Sequence, residues 1–375
     1  MTDTDLPEPD RIDGAPHPRE TARLIGQGAA VDTFLTAFNS KRLHHGWLLT
    51  GPRGVGKATL AWKIAAFLLT TPDTAEDGGM FGDTSPAPTS LDIPTDHPVA
   101  RRLMAGSEPG LLVLRRPYDE KAKKLKSVIT VDEVRGLNRF FSLSATDGGH
   151  RVVIVDSADE MNPNAANALL KQLEEPPKNT TLLLISHQPS GLLPTIRSRC
   201  RELRLSPLSA PDMSAALEQA AIENTQDTNA LAELGGGSVG ASIRLINLGG
   251  LVMYREIIAL MGSLPNLDRA RTLKLAEAAA TRGADARLDL LISLVDLFLI
   301  RLARTGATGI PPKIEAAPDE AKILARLAPS PAHARAWATV AQEIGARMRH
   351  GRAVNLDPTA LVLDTFFKIQ HTAAA

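Results

Sequence analysis

Seven consecutive residues, Gly51-Pro52-Arg53-Gly54-Val55-Gly56-Lys57, have the types and spacing of a loop that cradles phosphate. Gly51, Gly54 and Gly56 let backbone N–H groups converge on anionic oxygens, and Lys57 would reach the terminal phosphates of a nucleotide. The next position calls for a Ser or Thr hydroxyl to hold magnesium, but it is Ala58. Thr59 is one residue further along a helix and so turned away by about 100°. Two readings stay open: a working cradle, and a loop that keeps the shape while binding nucleotide poorly or not at all.

A second candidate is Val152-Val153-Ile154-Val155-Asp156, an apolar strand ending in a carboxylate that would orient magnesium at the carboxyl end of a parallel sheet. A hydrolysing site of this type continues with a glutamate that positions water, and here Ser157 takes its place. Asp159 and Glu160 come too late in the turn to be assigned that role. Gly51, Gly54, Gly56, Lys57, Thr59 and Asp156 thus form a degenerate candidate nucleotide set, and hydrolysis by this chain is not expected.

These residues need elements to position them. His45–Thr50 reads as the strand before the loop and Lys57–Leu69 as the helix after it. Arg151–Val155 and Thr180–Ile185 read as strands and Pro163–Leu173 as a helix. Near-continuous apolar strands separated by helices imply a parallel sheet with helices on both faces. Residues 70–97 read as one long loop. From Pro207 the pattern changes to short helices around Gly235-Gly236-Gly237, and from Leu251 it is wholly helical. The expected organisation is an arm over residues 1–19, acidic, proline-rich and flexible; an α/β domain over 20–206; a small helical domain over 207–250; and an all-α domain over 251–375.

Composition narrows the function. Lys plus Arg equals Asp plus Glu at 42 each, so no global field draws the chain onto DNA or an anionic membrane. The basic run Lys121–Lys126 reads as a solvated hairpin before it reads as a DNA contact. The single cysteine, Cys200, excludes a disulfide framework and a multi-thiolate zinc site. No signal peptide or membrane-spanning run is visible, which predicts a cytoplasmic protein with no membrane partner.

Asn167-Ala168-Leu169-Leu170-Lys171-Gln172-Leu173-Glu174-Glu175-Pro176-Pro177 and Leu193-Pro194-Thr195-Ile196-Arg197-Ser198-Arg199-Cys200 resemble the bacterial clamp-loader branch of the AAA+ family. The resemblance runs from Leu24-Ile25-Gly26-Gln27, similar to the box near the adenine, to Asn355-Leu356-Asp357-Pro358. It implies a RecA-like AAA+ sheet, a helical lid and a helical collar that assembles with other subunits. It implies that Arg199 is an arginine finger acting in trans, with Ser198 and Cys200 as structural parts of the same motif. The competing reading is that Arg199 pairs with a carboxylate of its own domain.

The sensor-2 arginine of hydrolysing relatives falls at Gly240 in Gly237-Ser238-Val239-Gly240-Ala241. Loss of hydrolysis with retention of the finger resembles the stator type of subunit within that family. The implied partners are the gamma/tau motor subunits, the delta subunit, and, through the complex, the sliding clamp and primer-template DNA. ATP or ADP is the implied nucleotide, bound weakly or not at all. Relatives often carry four zinc-binding cysteines after the first helix; Phe81–His97 has none, so no zinc is expected, and His44, His45 and His97 do not replace them. No polymerase active site is visible, so any polymerase label would come by association. The alternative is a motor subunit or an autonomous AAA+ ATPase.

Overall fold

The structure, a computed structural model, describes residues 7–71, 87–143, 149–222, 227–281 and 285–374. The chain forms two compact units, Met1–Ile222 with Ser238–Gly240, and Glu223–Gly237 with Ala241–Ala375.

The first unit contains α1 (Gly28–Asn39), β1 (Gly46–Thr50), α2 (Lys57–Thr70), α3 (Pro98–Met104), β2 (Leu111–Arg115) and the hairpin β3 (Tyr118–Asp119) and β4 (Lys124–Leu125). It continues with α4 (Val131–Leu143), β5 (Arg151–Asp156), α5 (Pro163–Glu174), β6 (Thr180–Ile185), α6 (Pro194–Arg197), β7 (Arg201–Arg204) and α7 (Ala210–Gln219). Five strands form a parallel sheet in the order β2-β5-β6-β1-β7. Side chains alternate between its faces. Leu48, Val153, Val155, Leu182 and Leu184 pack with Leu137 of α4 and Leu169 of α5. Trp47, on the other face, meets Phe34 of α1 at 5.3 Å between ring centroids. Both faces are therefore covered, which is why β1 and β6 are buried at every residue. Full burial of one such large apolar side chain is worth about 1.5–3 kcal/mol.

The basic run folds as the β3–β4 hairpin, with Lys121 and Lys123 exposed. Residues 72–86 of the long-loop segment lie outside the described residues, and residues 87–97 carry no helix or strand. Asn39 donates to the Pro88 carbonyl and Leu91 is buried, so this stretch returns to the core.

Residues 7–19, expected as part of a flexible arm, make contacts with the sheet unit. The segment buries no apolar cluster of its own; charge fixes it instead. His17 is fully buried at ion-pair distance from Asp10 (3.0 Å) and Glu8 (3.5 Å). Arg115 at the end of β2 pairs with both carboxylates, and Arg19 pairs with Glu8. Beyond residue 206, the expected boundary, the first compact unit runs on to Ile222. The Gln219 side chain accepts from the Arg23 backbone N–H and donates to its carbonyl, so α7 stays with the sheet.

The second unit holds α8 (Thr228–Leu234), most of α9 (Val239–Asn247), α10 (Gly250–Gly262), α11 (Arg269–Ala280), α12 (Asp285–Thr308), α13 (Glu320–Leu327), α14 (Pro331–Ala353) and α15 (Pro358–Ala374). Its core includes Leu291, Phe298, Leu302, Trp337, Ile344 and Phe366, and the Trp337 indole N–H reaches the Leu327 carbonyl at 2.8 Å. Among the described residues no single helix is long and apolar enough to cross a membrane.

One ionic group lies deep in this unit. Glu320 is fully buried, accepting from the Tyr254 hydroxyl (2.5 Å), the Ala316 backbone N–H (2.8 Å) and Arg301 Nε (2.8 Å), while Arg301 also reaches Glu233 at 2.8 Å. Arg301→Ala would leave the Glu320 charge buried without its counter-ion. The expected loss of unfolding free energy in urea is about 3–5 kcal/mol; a loss below about 1 kcal/mol would mean that the pair contributes no more than an exposed one.

Candidate functional site

The phosphate-type loop leaves β1 under tight steric constraint. Gly51 has φ +134°, and a Cβ there would stand 2.4 Å from the Leu205 carbonyl oxygen. Gly54 has φ +79°, with a Cβ position 2.4 Å from Ser238 Oγ. Only glycine fits both requirements. Gly56, also left-handed, caps α2, and Ala58 follows Lys57 in the first turn. Lys57 is 3% exposed, and its Nζ donates to the carbonyls of Gly51 (2.6 Å) and Pro52. Burial pushes this ammonium down to about 8, opposed by the carboxylates of Asp156 and Asp159.

Gln27, placed by sequence in the box near the adenine, is 4% exposed and clasps the loop. Its amide donates to Val55 O (3.1 Å) and Ser206 O (2.8 Å) and accepts from Ser206 N–H (3.1 Å). It thereby ties the loop to the end of β7.

Asp156 closes β5, in register with Arg115 of β2. Burial pushes its carboxyl up to about 7; Asp10 and Glu160 add to the rise, against Arg53 and Lys57. Its neighbour Ser157 is 2% exposed, and its hydroxyl has no hydrogen-bond partner among the described residues. Asp159 accepts from Ser186 Oγ at 2.7 Å and from the His187 backbone N–H, and Glu160 pairs with Arg116 at 2.6 Å. Both carboxylates are engaged by neighbours of their own unit.

His187 was missed by sequence reasoning. It follows β6, the strand between β1 and β5, and burial with the nearby Lys57 and Arg53 charges pushes its imidazole down to about 4. A polar pair, Ser186-His187, directly after the apolar run Leu182–Ile185 was the available signal.

The sensor-2 position is closely packed in this structure. A Cβ on Gly240 would lie 2.7 Å from Ile12 Cδ1 and 3.2 Å from Gly54 Cα, and the Gly240 N–H donates to the Gly54 carbonyl at 3.2 Å. The residues present keep the outline of a phosphate cradle, with Ala58, Ser157 and Gly240 at the positions where a magnesium-holding hydroxyl, a water-positioning carboxylate and a sensor guanidinium were sought. Thr59 sits half-buried in the first turn of α2.

Arg199 lies on other elements, in the turn from α6 into β7. Ser198 closes α6 through its hydroxyl to the Thr195 carbonyl at 3.1 Å. Cys200 packs against the core beneath α5, and burial pushes its thiol up to about 12, so it is inert. Arg199 Nη1 donates to Thr195 O (3.0 Å) and Nη2 pairs with Glu174 (2.9 Å), the two side chains being 37% and 49% exposed. Within this chain the arginine therefore makes the own-domain pair that was its competing reading.

His45 reaches the Leu173 carbonyl and stacks on His44, while His97 caps α3. Among the described residues no group of three or more His, Cys, Asp or Glu could hold a metal ion.

A family model described as DNA polymerase III, delta subunit, matches residues 26–209. The chain is 42% identical over 205 residues to the DNA polymerase III subunit delta' of Pseudomonas aeruginosa, covering 54% of this chain and 55% of that one. It is 31% identical over 271 residues to the DNA polymerase III subunit delta' of Escherichia coli, covering 70% and 72%. The match thus spans little more than half of the Pseudomonas protein and nearly three quarters of the Escherichia one. A solved structure of a gamma subunit-related DNA polymerase III protein from Thermotoga maritima superposes with a TM-score of 0.38 at 15% identity, over 91% of this chain and 99% of that one.

The raised Asp156 carboxyl carries a pH consequence. Its pKa of about 7 in the fold against 3.8 otherwise means that the folded chain holds the proton more tightly. Stability is therefore lost as pH rises from about 4 to about 7. Asp156→Asn cannot ionise, so its unfolding free energy should exceed that of the unsubstituted chain by a few kcal/mol at pH 8 and by less at pH 5. Equal urea midpoints for the two proteins at both pH values would contradict this.

Proposed function

The chain belongs to the DNA polymerase III delta' family, and on that premise we propose that it is the stator subunit of a clamp loader. In this role it lends Arg199 to the ATP of a neighbouring motor subunit and hydrolyses none itself. The observation that carries the reading is the pairing of the Ser198-Arg199-Cys200 turn, whose arginine side chain is 37% exposed, with a nucleotide loop followed by Ala58 and Ser157 in place of the usual hydroxyl and carboxylate. A planar, permanently charged guanidinium is suited to the charge that develops on a transferred phosphoryl group. Ser198 and Cys200 set the turn that aims it.

In this reading α8 and α9 act as a lid, and residues 251–375 as a collar that joins the gamma/tau and delta subunits. The sliding clamp and primer-template DNA are met through the complex, in the cytoplasm at replication forks. Gly51, Gly54, Gly56, Lys57 and Asp156 retain the outline of a nucleotide site; ATP or ADP would bind weakly or not at all. The second reading, an autonomous ATPase, draws on the retained Lys57 and Asp156, whose charges act on each other. It predicts phosphate release by the purified chain, whereas the stator reading predicts none.

Arg199→Ala should leave assembly of the reconstituted complex intact and lower its DNA-stimulated ATPase. At the adjacent site a finger of this kind is worth roughly 10³-fold or more in rate. An unchanged rate in single-turnover measurements on that site would remove the assignment.

A further inference from the structure

The segment Glu8–His17 crosses the carboxyl ends of the strands, which is where open α/β sheets bind their ligands. Three contacts trace its course. At one side Arg115, the register neighbour of Asp156, holds Glu8 at 2.9 Å and Asp10 at 3.1 Å. Asp10 is 1% exposed at its side chain, and its charge helps to hold the Asp156 carboxyl protonated. At the other side Ile12 Cδ1 lies 2.7 Å from where a Cβ on Gly240 would stand, and Gly240 is itself bonded to Gly54 of the loop. At its end His17, fully buried beside Asp10 and Glu8, meets Trp62 of α2 edge-on at 5.6 Å. Turns bonded from Arg11 N–H to Glu8 O and from Ala15 N–H to Ile12 O keep the segment compact.

From this placement we infer that the nucleotide crevice of this chain is filled by its own N-terminal segment, with Glu8, Asp10 and His17 as the fastenings and Ile12 as the apolar wedge. The ligand it excludes is a nucleoside diphosphate or triphosphate. The Asp10 carboxylate stands near Asp156 and Glu8 shares its Arg115, so a phosphate arriving there meets like charge and must displace the segment. Carboxylates on Arg115 occupy a cation that phosphate oxygens would otherwise engage. The inference rests on reading Gly51–Lys57 as a phosphate loop, and it is independent of any role of Arg199.

The test uses the full chain and a fluorescent ADP, N-methylanthraniloyl-ADP, with hydrogen–deuterium exchange to follow residues 8–17. Unsubstituted chain should bind the probe barely, if at all. Glu8→Ser combined with Asp10→Ser, and separately His17→Ala, should speed exchange over residues 8–17 and tighten binding by roughly tenfold or more, since a site open in about one molecule in ten loses that factor of affinity. Adding Lys57→Ala should abolish the gain, which a general loosening of the fold would not predict. The inference fails if exchange accelerates while affinity stays the same, or if both variants leave residues 8–17 protected. It also fails if the unsubstituted chain already binds as tightly as they do. None of these outcomes touches the Arg199 measurement, which reads a partner's site.

Discussion

The first unit depends on two backbone approaches that exclude a Cβ. At Gly51 the chain passes so close to Leu205, and at Gly54 so close to Ser238, that a Cβ would stand 2.4 Å from the nearest oxygen in each case. Those approaches join the loop after β1 to the end of β7 and to the start of α9. Gln27 then locks the first junction with both ends of a buried amide. Once the loop is held there, Lys57 opens α2 pointing back at the loop's own carbonyls, and the fully buried β6 lies between β1 and β5, the strand that Asp156 closes. Glycine is required at these positions by geometry, whether or not a phosphate ever arrives.

The charges around the loop follow the same logic. Burial pushes Lys57 and Asp156 toward their neutral forms, to about 8 and about 7, and drives His187 down to about 4. A crevice that treats a lysine, an aspartate and a histidine in this way is poorly hydrated, which strengthens whatever charge pairs remain in it. The pairs that remain belong to the N-terminal segment and Arg115. Replacing hydrated phosphate by carboxylates of the same chain removes the entropy cost of capturing a separate ligand. A segment with little to bury can become ordered in this way.

Much of the unit was legible in the sequence, because local patterns dictated it. Thr180–Ile185 agrees with its expected span residue for residue, and the loop, its helix and the strand ending in Asp156 lie where apolar runs and glycine spacing put them. The contacts of the N-terminal segment were not legible because Arg115 binds residues more than a hundred positions earlier, and no periodicity encodes such a pairing. Proline and aspartate without large apolar residues normally signal disorder, a rule that counts burial and overlooks ion pairs. The partner of Arg199 was hidden for a related reason. Glu174 lies in the very run that carries the family resemblance, yet only the packing of α5 against α6 brings it beside the arginine.

That pairing also bears on how a trans-acting arginine must be stored. A guanidinium sealed in a buried ion pair would cost several kcal/mol to withdraw, because the carboxylate left behind would be stranded without solvent. Arg199 and Glu174 are more than one-third exposed, so their pair is worth at most about 1 kcal/mol and water can solvate either partner alone. The Thr195 carbonyl adds one further contact that keeps the side chain near the turn. An arginine held this loosely can exchange a carboxylate for a phosphate oxygen at little cost, while the turn around it, fixed by Ser198 above and Cys200 below, does not need to move.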